Sequence, residues 1–398
     1  MSRHAPFGIV AQSRFDGERF HDQPATLLIE EGRVADLALG DQAVDLAARG
    51  LVVERAPFLM PGLVEAHAHL FLHGAELDGK IRAAHQKAPV EDLLGAAKGH
   101  AQATLKAGIT LVRDAGDKFG VNDAMRDLAR HPASGYPAIR SPGLGLKRPN
   151  RYGAFMARDV ETDEAIEPMV AEIAKTADDI KVILTGIIDF AKGAVTDLPQ
   201  FDAPAATRIA QAARAAGKPT FAHCSGEKGL RVACEAGFDS IEHGFFMNRE
   251  SLTRMADKGI AWVPTFSPVH FQWARPEVVG WPEETVAHLR RILDGHTQMV
   301  GEAAKLGVAL VAGSDAGSQG VPHGQALIDE LFHFLEAGLG LAAVLASATA
   351  VPRRLWKVAP AGPVKGGRFD AVALAQSPTH DARALRQPLA VWREGVRG

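Results

Sequence analysis

Apolar positions along the chain fall into two rhythms. Over residues 1–58 they form short runs broken by turn residues: Phe7-Gly-Ile-Val-Ala11, Ala25-Thr-Leu-Leu-Ile-Glu30, Arg33-Val-Ala-Asp-Leu37 and Gly50-Leu-Val-Val-Glu54. These predict strands, with Glu30-Glu31-Gly32-Arg33 as a hairpin turn between two of them. The same rhythm returns at the far end, in Gly366-Gly-Arg-Phe-Asp-Ala-Val-Ala-Leu374 and Leu389-Ala-Val-Trp-Arg393. Short strands at both termini predict one small β-sandwich domain assembled from residues 1–58 and 359–398.

Residues 59–358 alternate differently. Brief β-type runs are each followed by a longer stretch with helical spacing. The runs are Gly62-Leu-Val-Glu-Ala-His67, Ile109-Thr-Leu-Val-Arg-Asp114, Pro137-Ala-Ile-Arg-Ser141, Ile180-Lys-Val-Ile-Leu184, Pro219-Thr-Phe-Ala-His223, Ser240-Ile-Glu-His243, Ala261-Trp-Val-Pro-Thr265 and Val308-Ala-Leu-Val-Ala-Gly-Ser-Asp315. Helices are predicted over 90–107, 203–216, 283–306 and 324–338. Gly108, Gly217 and Gly307 stand where a helix end favours glycine. Eight β-then-α units predict an α/β fold of the (β/α)8 TIM-barrel type, with a doubly wound open sheet as the alternative.

Composition narrows the function classes. The 398 residues are 46% apolar and 23% charged, enough to fill a core and incompatible with wholesale disorder. A formal charge of -3 gives no footprint for nucleic acid or an anionic membrane. No apolar stretch reaches the roughly 18 residues of a spanning helix. Cys224 and Cys234 cannot staple a chain this size, and the N-terminus lacks a signal-peptide pattern. The expectation is a cytoplasmic protein acting on a small molecule, with self-association left open.

In a barrel, chemistry sits at the carboxyl ends of the strands. Those ends are His67-Ala-His69 on the first predicted strand, His223 on the fifth, His243 on the sixth and Asp315 on the eighth. Histidines at i and i+2 on a strand share a face, so both imidazoles can reach one ion. Imidazole and carboxylate together suit a divalent cation such as zinc. A lone His-x-His is more often a surface or core pair than a ligand pair. Further ligand-type residues at later strand ends favour the metal, because an unpaired polar group in a dry barrel mouth is costly.

Pro61-Gly-Leu-Val-Glu-Ala-His-Ala-His69 resembles the opening motif of the amidohydrolase superfamily. Ser240-Ile-Glu-His-Gly244 and Ala312-Gly-Ser-Asp-Ala316 resemble its strand-six and strand-eight motifs, and Ala348-Thr-Ala-Val-Pro352 with Lys365-Gly-Gly-Arg-Phe-Asp370 its closing region. Asp178-Asp-Ile-Lys-Val182 is similar to the strand-four segment of prolidase-like Xaa-Pro and Xaa-Arg dipeptidases and related acyl-amino-acid hydrolases. The resemblance implies two metal ions. His67, His69 and Asp315 would bind the first, His223 and His243 the second, with a carbamylated Lys181 and a hydroxide between them. It further implies that Asp315 moves the proton during hydrolysis of an amide or peptide bond. Pattern alone puts Lys181 near the beginning of its strand, as a lysine that snorkels to water. The resemblance implies instead that the strand starts earlier and that Ile183 onward leaves the barrel.

Substrate residues are read from the loops. Arg113, Lys147, Arg148 and Arg151 are candidate partners for a substrate carboxylate, and Tyr152 for a carbonyl. Thr265–Trp281, with His270 and the aromatics Phe266, Phe271, Trp273 and Trp281, predicts an apolar lid or a segment packed on the next helix. His73 and His323 are read as surface or supporting histidines. Prolidase-like relatives tend to carry a second histidine after the strand-five ligand, where this chain has Cys224-Ser225, and a tyrosine where it has Pro199-Gln-Phe201. Cyclic amides, lactones and carbamates remain alternative substrates. Deamination is disfavoured by Lys181 and by the long spacing from His223 to Glu227. A non-catalytic scaffold would be expected to lose ligands, and all six are present.

Overall fold

A computed structural model describes residues 5–398. The first strands form where the pattern places them, at Phe7–Phe15, Ala25–Glu30, Arg33–Leu39 and Val52–Pro61. Glu30 pairs with Arg33 across the expected hairpin turn, and Glu31 and Gly32 both take the positive φ that a two-residue hairpin turn requires (50° and 74°). Near the other end, Ala371–Leu374 runs antiparallel to Val52–Pro61, and Ala390–Arg393 pairs with Ala371–Leu374 in turn. Residues from both ends thus share one eight-stranded sheet, whose inward side chains Ile9, Leu27, Val34, Leu59, Phe369 and Trp392 form their own apolar cluster.

Val52–Pro61 is followed, after Gly62, by the parallel strand Leu63–Ala68. Leu63–Ala68, Ile109–Asp114 and Ala138–Arg140 pair in parallel as a three-stranded sheet. A six-stranded parallel sheet contains Ile180–Ile183, Thr220–Cys224, Ser240–His243 and Ala261–Val263, extended at one edge by the short strands Gly145–Lys147 and Ala157–Asp159. Those two short strands were not expected from the sequence; they are too brief to carry an alternating pattern.

The eighth expected strand, 308–315, does not form a regular strand. It is extended chain held by separate hydrogen bonds. Trp262 N donates to Ala309 O and Val311 N to Trp262 O on one side, each at 2.9 Å; Ala66 N donates to Ala312 O (3.1 Å) and Asp315 N to His67 O (2.7 Å) on the other. Positive φ at Asp315 (55°) and Gly317 (104°) turns the chain out of the extended region and ends the run. At the opposite seam, Asp178 N donates to Ser141 O at 2.7 Å. Single hydrogen bonds therefore join the two sheets, and among the described residues no continuous ladder closes them.

The intervening helices pack one apolar face against these sheets. Val90–Lys106 buries Leu93, Ala97, Ala101 and Leu105, spaced by four residues. Asp202 caps Ala203–Ala215 by accepting from Ala205 N at 2.9 Å, and Asn248 caps Arg249–Lys258 through Ser251 N at 2.8 Å. Gly108, Gly217 and Gly307 all have positive φ, as their reading as helix stops requires. Cys224 and Cys234 are buried free thiols. Among the described residues, no helix is long and apolar enough to cross a membrane.

Candidate metal centre

Five ligand-type residues from four chain segments line one cavity over the sheets. His67 lies in Leu63–Ala68 and His69 just beyond it, so alternation aims both imidazoles the same way. His223 and His243 come from adjacent strands, in which Cys224 stands opposite His243. His67 Nε2 and His69 Nε2 each lie 3.7 Å from Asp315 Oδ1, and the three ligand atoms fall within 4.8 Å of one another. The His243 ring centroid is 4.6 Å from that of His223 and 5.0 Å from that of His67. His243 and Asp315 both hold positive φ (64° and 55°). Such strain costs about 1–3 kcal/mol per residue and persists where surrounding structure imposes it.

A ring of partners sets which nitrogen faces the cluster. His67 Nδ1–H donates to Glu242 Oε2 at 2.7 Å, and His69 Nδ1–H to Gly116 O at 3.3 Å. His243 Nδ1 shares a 2.7 Å hydrogen bond with Thr265 Oγ1. In each case Nε2 is left for something else. Among the described residues, His223 Nε2 and His243 Nε2 are buried with no hydrogen-bond partner. An orphaned polar atom in such surroundings is expensive, and lone pairs converging with a carboxylate are what a divalent cation takes. The donor set fits a metal.

Electrostatics agree. Burial, with the Lys181 ammonium nearby, pushes the four imidazoles down, His223 to about 3, so all are neutral, as binding to a metal would require. Burial raises Asp315 to about 7, a shift that an adjacent cation reverses. Burial also lowers Lys181 to about 8, which leaves an appreciable share of free amine near neutral pH.

Lys181 sits differently from the expectation drawn from the resemblance. Its strand spans Ile180–Ile183 and does not start earlier, and Ile183 remains in the sheet opposite His223. Pattern reading placed the residue correctly near the strand's beginning. The length of the side chain makes up the difference: Nζ–H donates to Ala115 O (2.5 Å) and contacts Met156 Sδ (3.1 Å), both in loops at the carboxyl ends. Room for it comes from Gly145, where a Cβ would stand 3.2 Å from Lys181 Cγ.

Of the expected substrate residues, Tyr152 lines the cavity above the cluster, its ring 5.2 Å from His223. Arg113 does not reach that cavity. It is buried among the strands, with Nη2–H donating to Glu242 Oε1 at 2.8 Å and the guanidinium over Phe221 at 4.2 Å, because an internal carboxylate already answers its charge. Arg151 donates to Leu198 O at 2.5 Å, Lys147 pairs with Asp159 and Arg148 with Asp163. His270 packs against His333 and Trp273 instead of lining the cavity, to which its helix Ser267–Ala274 contributes Pro268 and Val269. Glu227 is exposed at the first turn of Glu227–Ala236, away from any deaminase-like role. Glu242 and Thr265 were missed; the Ile241-Glu-His243 motif contained the signal for the former.

The cavity over the cluster measures about 220 Å³. A larger one, about 520 Å³ beside Lys192, His288 and Met299, touches none of the ligand-type residues. Chemistry therefore points to the smaller.

Comparison with known proteins gives the same direction. The chain is 30% identical over 337 residues to an uncharacterised protein of Mycobacterium tuberculosis, covering 83% of this chain and 82% of that one. It is 27% identical over 372 residues to ochratoxinase of Aspergillus niger, covering 86% and 75%. In fold it is similar to the crystal structure of a Xaa-Pro dipeptidase with methionine in its active site, at a TM-score of 0.84, 23% identity and 99% and 100% coverage. Residues 58–394 match the amidohydrolase family, and with that match covering most of its length the chain belongs to the amidohydrolase family.

Proposed function

We infer that the chain is a metal-dependent hydrolase of C–N bonds in small amides, the class that includes dipeptides and N-acyl amino acids. The observation that carries this reading is the pair of buried, unpartnered Nε2 atoms of His223 and His243, whose residues line one cavity with His67, His69 and Asp315. On this reading the parallel strands are the staves of a (β/α)8 barrel over residues 59–358. Residues 1–58 and 359–398 supply the small β-sandwich domain. Free cysteines support a cytoplasmic setting.

His67, His69 and Asp315 would hold one divalent ion, with zinc the first candidate, and His223 and His243 a second, with Lys181 as its carbamate shared between them. When bound, such ions supply a lowered water pKa and a polarised carbonyl. The chain's own groups do the rest. Glu242 fixes the His67 tautomer and Thr265 the orientation of the His243 ring. Ser318 Oγ–H donates to Asp315 Oδ2 at 3.0 Å, which leaves Oδ1 toward the histidines. Asp315 takes the proton of the attacking water and returns it to the leaving nitrogen. The apolar wall of the cavity excludes competing water.

The test is a hydrolysis screen of metal-replete protein with amides, dipeptides, lactones and amino-heterocycles. Release of amine and carboxylate from amides is the expected result. Turnover confined to amino-heterocycles, with ammonia released, would contradict the reading.

A further inference from the structure

The cavity above the ligand cluster is lined chiefly by carbon. Phe155, Ile187, Ile188, Phe190, Phe245 and Val269 form its walls, and its titratable lining groups are the four histidines, Asp315 and Tyr152. Among the described residues, no lysine or arginine lines it. Basic residues of neighbouring loops are committed elsewhere: Arg151 to Leu198 O, Lys147 to Asp159, Arg148 to Asp163 and Lys192 to Asp189 (3.2 Å). Lys181 and Arg113 are held beneath the cluster by Ala115 O and Glu242. A substrate carboxylate entering this space would lose water and gain no cation from the walls. Its one source of positive charge would be the ion positions, where it would compete with the scissile carbonyl.

We propose that the substrates are uncharged on both sides of the scissile C–N bond, with an aryl or branched alkyl group seated against Phe155, Ile188, Phe190 and Phe245. The proposal rests on the amide-hydrolase reading and narrows it away from free dipeptides and N-acyl amino acids. The reaction is R–CO–NH–R′ + H₂O → R–COOH + H₂N–R′: a C–O bond forms, the C–N bond breaks, and one water proton goes to the leaving nitrogen. Near neutral pH both products then ionise. A wall that accepts the neutral amide holds neither charged product well, so the same surface that selects substrate favours release.

N-benzoylphenethylamine and N-benzoylphenylalanine differ by one carboxylate and test this on the metal-loaded protein. The uncharged amide is expected to have a kcat/KM at least about tenfold higher, since one unpaired buried charge exceeds that factor. Ile187 is 62% exposed at the rim. Ile187→Arg puts a cation there without disturbing the core and is expected to shift the ratio toward the carboxylate substrate. Equal or reversed preference in the unaltered protein overturns the proposal while leaving amide hydrolysis standing. Should neither amide turn over, the hydrolysis screen judges the amide-hydrolase reading, and the cavity is judged by calorimetry on the loaded protein with the corresponding benzenesulfonamides, which are not cleaved. Tighter binding of the uncharged sulfonamide upholds the selectivity; tighter or equal binding of the carboxylate overturns it.

Discussion

Two groups of four histidines, one containing His69 and the other holding its carbonyl, behave in opposite ways. In the first, His67, His69, His223 and His243 line one cavity with Asp315, and the Nε2 atoms of His223 and His243 have no partner among the described residues. In the second, His323 Nε2–H donates to His69 O (3.1 Å), His100 Nδ1–H to Leu70 O (2.7 Å) and His85 Nε2–H to Phe71 O (2.7 Å). His73 Nδ1–H completes it by donating to His100 Nε2 at 3.2 Å, and His100 stacks on His323 at 4.2 Å. Three successive carbonyls are thereby clamped, beginning at the ligand-type residue His69. Residue type and proximity are alike in the two groups. Satisfaction of the ring nitrogens separates a centre from its scaffold.

The variant expected to have the largest effect is Lys181→Ala. Metal content and activity should fall together, activity by more than the roughly 10–100-fold that loss of an outer partner costs, and short-chain carboxylic acids should restore part of both. Unchanged metal and full activity would remove Lys181 from the centre. Next comes Glu242→Gln, which loosens His67 and strips the buried Arg113 of its counter-charge. It is expected to cost about 3–5 kcal/mol in chemical denaturation and on the order of tenfold in metal affinity. An unaltered melting midpoint would show that this pair is not the support described here.

His100→Phe should sharpen the contrast from the other side. It keeps an aromatic ring but leaves Leu70 O unanswered, costing about 1–3 kcal/mol of stability with metal stoichiometry unchanged. Loss of metal from this variant would blur the two groups into one. The smallest expected effect is in its pH profile. Burial holds His100 below its ordinary 6.5. Above that pH both folded and unfolded chains are neutral there; as pH falls below it, the unfolded chain takes up a proton that the folded chain resists, and stability drops. The stability gap between wild type and His100→Phe should therefore narrow on acidification below pH 6.5, and a gap that widens would give the wrong sign.

Much of this was legible in the sequence because strand ends are local. His67, His69, His223 and His243 follow apolar runs that do become strands, and the glycines after three helices sit at positive φ. What escaped was long-range. Nothing near Arg113 announces that Glu242, on a strand far along the chain, will take its charge and keep it out of the cavity. The irregular eighth segment escaped for another reason: Val308–Val311 is as apolar as any strand, but positive φ at Asp315 and Gly317 turns the chain out of the extended region. Lys181 shows a third limit, since a strand pattern locates a Cβ and a flexible side chain decides where the nitrogen goes.

The most direct test is elemental analysis of purified, metal-replete protein beside its His243→Ala variant. Two equivalents of divalent ion per chain in the wild type, with a loss of about one in the variant alongside lost turnover, is the result expected of five strand-end ligands and a shared lysine. Full turnover with fewer than two equivalents in the wild type would contradict the account.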